Sequence, residues 1–158
     1  MACYKDLVPF LVSYHFFINN KRNFIIINIY RPPHTNIDIF LNNLNTLLQM
    51  LSKENKIIYV TGDLNINLQT YNTPAKLLLD ILSSFSILPT IKIPTRTTNT
   101  TETIIDNIFT NNLNNFSSGT IVSDISDHFP IFLSQSYSLK QNDRKKISPS
   151  SISLLRTY

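Results

Sequence analysis

The stretch from Val122 to Leu133 places acidic residues and a histidine directly in front of an apolar run. Asp127 and His128 favour solvent-exposed loops, whereas residues 129–133 are typical of a buried strand. Charged residues make up only 15% of the chain, so their concentration at the start of a strand is unusual. Taken alone, the Ser-Asp-His triplet is more often a cap or a turn than a functional site. Its meaning therefore depends on whether similar clusters occur elsewhere.

Polar clusters of this kind follow or precede apolar runs at four places in the sequence. They are Tyr30–Pro33, Gly62–Asn65, Ile105–Asn107 and Ser126–His128. Each has an ordinary structural explanation, such as a strand terminator, a tight turn or a structural aspartate. Open sheets, however, collect their ligands at the ends of strands. The four clusters in this order predict one shared site.

The same residues carry a resemblance to a known family. Between about residues 11 and 135, the string NIYRPP…IYVTGDLNIN…PTRTTNTTETIIDNIFTNN…SDISDHFPIFL resembles the endonuclease/exonuclease/phosphatase superfamily. GDLN and SDH are common to the whole superfamily, whereas YRPP and IDNIFTN are typical of its retroelement branch. The chain thus looks most like the apurinic-type endonuclease domain of non-LTR (LINE-like) retrotransposons.

This resemblance implies catalytic roles for residues in all four clusters. Asp63 handles the proton of the nucleophile or the leaving group, and Asn65 orients the scissile phosphate through its amide. His128 donates to a phosphate oxygen, while Asp106 holds and polarises the imidazole. Tyr30 contributes a hydroxyl near the phosphate. Phosphodiester cleavage needs such a proton acceptor and such hydrogen-bond donors.

The resemblance also implies a metal and a nucleic-acid substrate. Asp127 is expected to lie beside a divalent cation, and Arg96 in the PTRT segment is a candidate contact to a DNA phosphate. Hard oxygen ligands suit Mg²⁺, with Mn²⁺ as an alternative, better than zinc, which favours histidine and cysteine. The expected partner is DNA, and a downstream reverse transcriptase domain is expected in a full-length element but absent from this sequence.

Strands and helices must alternate to position these clusters. β-Branched and aromatic runs predict strands, and apolar residues spaced three and four apart predict amphipathic helices. The predicted strands are 11–18, 23–30, 56–60, 101–110, 119–122 and 130–134, and the predicted helices are 37–51 and 74–85. Asn36 is a predicted N-cap, and Thr73–Pro74 is typical of a helix start.

The predicted fold is α/β (α+β), a layered sandwich of two mixed β-sheets flanked by helices. Residues 1–136 are interpreted as a partial endonuclease/exonuclease/phosphatase domain. Residues 137–158 are interpreted as a basic, serine-rich linker or tail, because five of the 14 lysines and arginines lie from position 140 onward. The net charge of +4 is thus mainly a property of this tail. It permits contact with nucleic acid without demonstrating it.

Composition narrows the class of protein further. Cys3 is the single cysteine, so a disulfide framework and a thiolate metal site are excluded. No apolar run is long enough to span a membrane, and no clear signal peptide is present. An intracellular protein without membrane contact is therefore expected. With two glycines in the chain, a glycine-rich phosphate loop is excluded as the main device.

The chain departs from the family pattern at its start. Family members carry an N-terminal segment with a strand-end asparagine and a strand-end glutamate that is a main metal ligand, and neither has a counterpart here. We therefore expect a truncated domain that lacks its N-terminal strands and has little activity alone. Two alternatives are a non-catalytic nucleic-acid-binding remnant and a phosphatase-like or lipid-phosphodiesterase member of the same superfamily.

Overall fold

The computed structural model describes residues 11–19 and 22–136, with side chains from Phe24 onward. The strands, in chain order, are β1 (Leu11–Asn19), β2 (Arg22–Tyr30), β3 (Ile57–Asp63), β4 (Leu88–Pro89), β5 (Arg96–Thr97), β6 (Glu102–Thr103), β7 (Asp106–Thr110), β8 (Phe116–Thr120) and β9 (Ile131–Gln135). The two described helices are α1 (Ile37–Ser52) and α2 (Thr73–Ser84). The predicted tail at 137–158 lies outside the described residues.

A five-stranded mixed sheet with the order β1-β2-β3-β7-β4 forms the centre of the molecule. Strands β2 and β3 run parallel, whereas the other neighbouring pairs are antiparallel. A parallel pair needs a crossover connection, and α1 supplies it between β2 and β3. The remaining strands form two small antiparallel sheets, β5-β6 and β8-β9.

Both helices begin at an asparagine cap and pack on one face of this sheet. The Asn36 side chain accepts hydrogen bonds from the backbone N–H groups of Asp38 and Ile39, and Asn72 accepts one from Ala75. Such caps satisfy donors that a helix start leaves unpaired. The core between helices and sheet is formed by buried apolar side chains, among them Ile25, Ile27, Ile29, Phe40, Leu44, Leu48, Val60, Leu78, Leu82 and Phe109. Neither described helix has the length and apolar character needed to cross a membrane.

The β8-β9 hairpin lies on the opposite face of the sheet. Side chains alternate along β3, so Tyr59 points away from the helices that cover Ile58 and Val60. The Tyr59 hydroxyl is hydrogen-bonded to Oε1 of Gln135 in β9. In addition, Ser118 Oγ of β8 donates to the backbone oxygen of Thr90 at 2.8 Å. These contacts give the molecule its third layer.

The structure confirms the predicted α/β class with mixed sheets and two helices, but it corrects one strand. Residues 101–110 do not form one strand: β6 pairs with β5, and β7 starts only at Asp106. Between them, the backbone oxygens of Ile104 and Ile105 accept hydrogen bonds from Leu68 and Leu64. Those bonds to the loop after β3 draw the chain away from a continuous ladder. The sequence does not indicate this break, because Ile104 and Ile105 are apolar and buried, as residues of a continuous strand would be.

Two shorter differences have related causes. Strands β4 and β5 were not predicted, since two residues are too few to show any periodicity. The strand predicted at 119–122 forms at Phe116–Thr120 instead, and Ile121 and Val122 are exposed in the following loop.

Gly62 in β3 provides a test of how tightly β2 and β3 are packed. Its φ is +137°, and a Cβ atom built there would lie 1.9 Å from the backbone oxygen of Ile29. We expect Gly62→Ala to lower the free energy of unfolding by about 3 kcal/mol or more, through backbone strain and this clash. Urea unfolding followed by circular dichroism measures the change.

The control is Gly119→Ala, the other glycine of the chain. There a Cβ atom would meet only the Phe132 ring, at 3.3 Å, and that ring is partly exposed and able to move. We expect a change below about 1 kcal/mol, as for most substitutions outside the core. Equal losses in the two variants would contradict the packing seen between β2 and β3.

Candidate active site

Strand register brings three of the predicted residues to one edge of the sheet. Tyr30 is the β2 partner of Asp63, and Asp63 is in turn the β3 partner of Asp106 in β7. Side chains alternate along a strand, and Ile29, Val60 and Phe109 of the same strands pack in the core with the helices, so all three lie on the opposite face. Tyr30 is 42% exposed, whereas the Asp106 side chain is 15% exposed. The site therefore lies at the end of three adjacent strands and is open to solvent.

The Gly-Asp-Leu-Asn segment turns sharply after β3 and links Asp63 to Asn65. The backbone N–H of Asn65 donates to Asp63 Oδ1 at 2.9 Å, and Asn65 Nδ2 donates to Asp63 Oδ2 at 3.1 Å. Asn65 has a φ of +48°, a left-handed conformation that asparagine adopts more readily than most residues. Leu64 between them is buried in the core and anchors the turn. Asp63 and Asn65 are thus held as one unit.

His128 and Asp106 form the central pair of the site. His128 Nδ1 lies 3.0 Å from Asp106 Oδ2, a hydrogen-bond distance that also makes an ion pair when the imidazole is protonated. A carboxylate on one ring nitrogen fixes the tautomer and the orientation of the ring. The other nitrogen, Nε2, is then the one that can act on a ligand.

The segment Thr95–Thr97 joins the His128 loop to β7. Thr95 Oγ1 accepts from the backbone N–H groups of Ile105 and Asp106, and the Thr95 backbone oxygen accepts from Phe129 at 2.7 Å. Arg96 forms a β-bridge with His128. Because this short segment is hydrogen-bonded both to the start of β7 and to the His128 loop, it sets the distance between Asp106 and His128.

Asp127 forms its ion pair with Arg96. Its Oδ2 accepts a hydrogen bond from Arg96 Nε at 2.7 Å, and both side chains are more than a third exposed. The hydrogen bond from Arg96 holds the pKa of the Asp127 carboxyl below its ordinary value. Asp127 and Arg96 therefore form a solvated ion pair beside the site, which contributes little to stability by itself.

Asp63, Asp106 and His128 could together hold a metal ion. One ligand atom from each lies within 4.8 Å of the others. The two carboxylates are hard oxygen donors of the kind that Mg²⁺ prefers, and the histidine is already bonded to Asp106 through Nδ1. The donor set therefore fits a hard divalent cation better than zinc.

Burial changes the protonation of Asp63. Desolvation raises the pKa of its carboxyl, and the charge of Asp106 raises it further, while the hydrogen bonds from Asn65 and the charge of His128 act in the opposite direction. A carboxyl whose pKa is raised is a stronger base than a solvated aspartate, which suits it to proton transfer.

The structure brings Tyr30, Asp63, Asn65, Asp106 and His128 together, and it places Asp127 and Arg96 at the margin. Sequence analysis gave no role to Arg31 and Thr95, which the structure shows to be buried around the site. A charged residue immediately after a buried strand is the signal that could have identified Arg31. Thr95 carries no comparable signal, because threonine is common in loops.

A comparison with known protein families identifies the family to which this chain belongs. The family model described as endonuclease-reverse transcriptase matches residues 24–132, which is well over half of the chain. The match includes all seven residues predicted for the site. A search of curated proteins gives no significant match.

Solved structures share the fold at low sequence identity. The endonuclease domain of TRAS1, a telomere-specific non-LTR retrotransposon, has 16% identity and a TM-score of 0.65 over 84% of this chain and 64% of its own. An endonuclease/exonuclease/phosphatase family protein from Bacteroides thetaiotaomicron has 16% identity and a TM-score of 0.59 over 82% of this chain and 57% of its own. D. rerio TDP2, complexed with a single-strand DNA product, has 12% identity and a TM-score of 0.52 over 78% and 60%.

At these identities the likeness concerns the fold alone, and the chain spans less than two thirds of the length of each of these proteins. The shared fold and the family match nevertheless agree with each other. Both also agree with the types of residue found at the ends of β2, β3 and β7. The chain belongs to the endonuclease-reverse transcriptase family of the endonuclease/exonuclease/phosphatase superfamily.

Proposed function

We propose that this chain carries the catalytic centre of a Mg²⁺-dependent phosphodiester hydrolase that nicks DNA, as the endonuclease part of a retrotransposon. The observation that carries the proposal is the His128–Asp106 pair, with 3.0 Å between Nδ1 and Oδ2, beside the carboxylate of Asp63. An oriented imidazole and a carboxyl with a raised pKa are the two proton-handling groups that hydrolysis of a phosphodiester requires.

In this mechanism His128 stabilises the charge that develops on the phosphate. With its Nδ1–H held by Asp106, the protonated imidazole offers its Nε2–H to a non-bridging phosphate oxygen. Asp106 keeps the ring in place. Tyr30, at the same edge of the sheet, offers its hydroxyl to the same group.

Asp63 takes the proton from the attacking water or returns one to the leaving oxygen. Its raised pKa suits this task because the carboxyl is then a stronger base than a solvated aspartate. Asn65 steadies the ionised carboxylate through two hydrogen bonds. Its amide contacts the phosphate once the bond to Asp63 is released.

Asp106 would offer a carboxylate oxygen to the metal ion, with Asp127 beside it, which leaves the Asp63 carboxyl for proton transfer. When bound, Mg²⁺ offsets the negative charge of the phosphate and of the leaving oxygen. Arg96 lies next to Asp127 and is the nearest candidate for a contact to the DNA backbone. The single-strand DNA product bound to D. rerio TDP2 supports DNA as the substrate, and the family description supports a reverse transcriptase domain as the functional partner.

Plasmid nicking tests this proposal. We expect the 158-residue chain alone to nick supercoiled plasmid in Mg²⁺ at or near background. Its site carboxylates already accept hydrogen bonds from Asn65, His128 and Arg96, and a working Mg²⁺ site usually needs more free oxygen ligands. Grafting the N-terminal segment of a family endonuclease in front of the chain should raise the rate about 100-fold or more.

His128→Ala in the grafted chain should return nicking to background, and chelation of Mg²⁺ should do the same. Ser134→Ala, an exposed position in β9, is the matched control and should keep full activity. Nicking that survives His128→Ala, or a folded grafted chain that binds DNA without nicking it, would overturn the proposal. The second outcome would favour a non-catalytic nucleic-acid-binding protein, and hydrolysis of phosphomonoesters or lipids but not DNA would favour the phosphatase-like alternative.

The pH dependence of stability tests the electrostatics of the site. Because the pKa of Asp63 is raised in the folded state, its contribution to stability is fully present below the ordinary value of 3.8 and is lost as the pH rises through the raised value. Asp63→Asn removes this titration. The difference in Tm between Asp63→Asn and the parent chain should therefore become more positive as the pH rises from about 3 to about 6.

Asp127→Asn supplies a control of opposite sign. The pKa of Asp127 is lowered by Arg96, so its contribution appears as the pH rises toward the ordinary value and is lost in acid. The Tm of Asp127→Asn relative to the parent chain should fall over the same range. Thermal unfolding by circular dichroism measures both, and parallel trends in the two variants would contradict the assigned shifts.

A further inference from the structure

Arg31 is a buried cation directly behind the candidate active site. It follows Tyr30 at the end of β2 and is 6% exposed. Its guanidinium donates to the backbone oxygens of Leu64 at 2.6 Å and Asn65 at 2.7 Å, and to the backbone oxygen and hydroxyl of Thr35 at 3.2 and 3.0 Å. All of these acceptors are neutral. Burial lowers the pKa of the Arg31 guanidinium, and the charge of Asp63, which makes no hydrogen bond to it, offsets only part of this effect. Its position therefore calls for a reason beyond packing.

The backbone of Arg31 is hydrogen-bonded to the same segment, Asp63 to Asn65, as its side chain. The Arg31 N–H donates to the backbone oxygen of Asp63 at 2.9 Å, and the Arg31 backbone oxygen accepts from Asn65 Nδ2 at 2.9 Å. With the two guanidinium bonds, Arg31 thus contacts each of the residues from Asp63 to Asn65. The segment cannot rotate about its backbone without breaking several of these bonds at once.

The shape of arginine suits this task. The planar guanidinium directs donors to three places at fixed angles, whereas a lysine ammonium is a compact group that cannot span two consecutive carbonyls and Thr35 together. The guanidinium carbon also lies 5.8 Å from the centre of the Phe40 ring, which is fully buried in α1. This contact fixes the cation relative to the core.

The bonds from Arg31 hold Asn65 in an unusual backbone conformation. The residue is left-handed, with a φ of +48°, and its side-chain amide bridges Asp63 Oδ2 and the Arg31 backbone oxygen. Without the bonds to the carbonyls of Leu64 and Asn65, the turn would be free to adopt other conformations. Asp63 and Asn65 would then lose their fixed placement beside Asp106 and His128.

We propose that Arg31 is a positioning residue, which holds the turn that carries Asp63 and Asn65 in the geometry beside Asp106 and His128 that the reaction requires. The proposal rests on the proposed function for the meaning of that geometry. The bonds from Arg31 to Asp63, Leu64 and Asn65, which we call the Arg31 clamp, are however a property of the protein without any ligand. They can therefore be measured independently of nuclease activity.

The first measurement uses the 158-residue chain without DNA. We expect Arg31→Met and Arg31→Lys to shift the NMR resonances of the Asn65 side-chain amide and to speed the hydrogen exchange of the Asn65 backbone N–H about tenfold or more. Leu82→Ala is the matched control, because it removes a buried core side chain of α2 that lies outside the clamp. It should lower the Tm while leaving the Asn65 resonances in place.

The second measurement uses the grafted chain and its nicking of plasmid. Arg31→Lys should lower kcat about 10- to 100-fold with little change in KM, because the clamped groups act on the reacting phosphate while DNA contacts are spread over the surface. Leu82→Ala should keep kcat at a temperature where it is folded. A defect in Arg31→Lys that is no larger than that of Leu82→Ala would reduce Arg31 to a stabilising residue.

The two measurements separate the failure of this proposal from failure of the proposed function. Unchanged Asn65 resonances and exchange in folded Arg31→Lys would overturn the clamp, whatever the grafted chain does. Altered Asn65 signals in a grafted chain that never nicks DNA would keep the clamp and reject the nuclease. If Arg31→Met does not fold, Thr35→Ala removes one acceptor of Nη1, and it should shift the Asn65 signals in the same direction by a smaller amount.

Discussion

Tyr30, Asp63 and Asp106 lie side by side because three neighbouring strands end in register at one edge of the sheet. Side chains alternate along a strand, so a slip of one residue in any of the three would turn its functional side chain into the helix-facing core. The buried side chains of Ile25, Ile27, Ile29, Ile58, Val60 and Phe109 prevent such a slip, since each would become exposed. The hydrophobic core thus fixes the geometry of a polar site on the opposite face of the sheet.

Charges at the site are arranged so that no two aspartates have the same environment. Asp106 is paired with His128, Asp127 with Arg96, and Asp63 is held by the neutral amide groups of Asn65. Burial raises the pKa of the Asp63 carboxyl, whereas the hydrogen bond from Arg96 lowers the pKa of the Asp127 carboxyl. Opposite pKa shifts of neighbouring carboxyls are typical of sites that carry out acid–base chemistry. Arg31 complements it as a cation that bonds to carbonyls rather than to carboxylates.

Local signals in the sequence were sufficient for most of the elements. Both helices follow from apolar spacing, from the predicted cap Asn36 and from the Thr73–Pro74 start, although the cap of α2 is Asn72 and Thr73 is the first helical residue. The long strands follow from their β-branched runs. The error at 101–110 has the opposite origin. Ile104 and Ile105 are apolar and buried as a strand would require, but their backbone oxygens bond to the loop after β3. That loop lies more than 30 residues earlier in the chain, so the sequence around the two isoleucines does not predict these bonds.

The sequence by itself determined the family, the residue types of the site and their order, because motifs such as GDLN and SDH are contiguous and carry their chemistry with them. Only the tertiary structure decided the pairings. His128 reaches Asp106 through the segment at Thr95–Thr97, Asp127 turns to Arg96, and Arg31 inserts behind Asn65, over separations of between about 20 and 35 residues along the chain. Such contacts depend on strand register and on hydrogen bonds between distant loops, and these are set by the packing of the whole domain rather than by local preference.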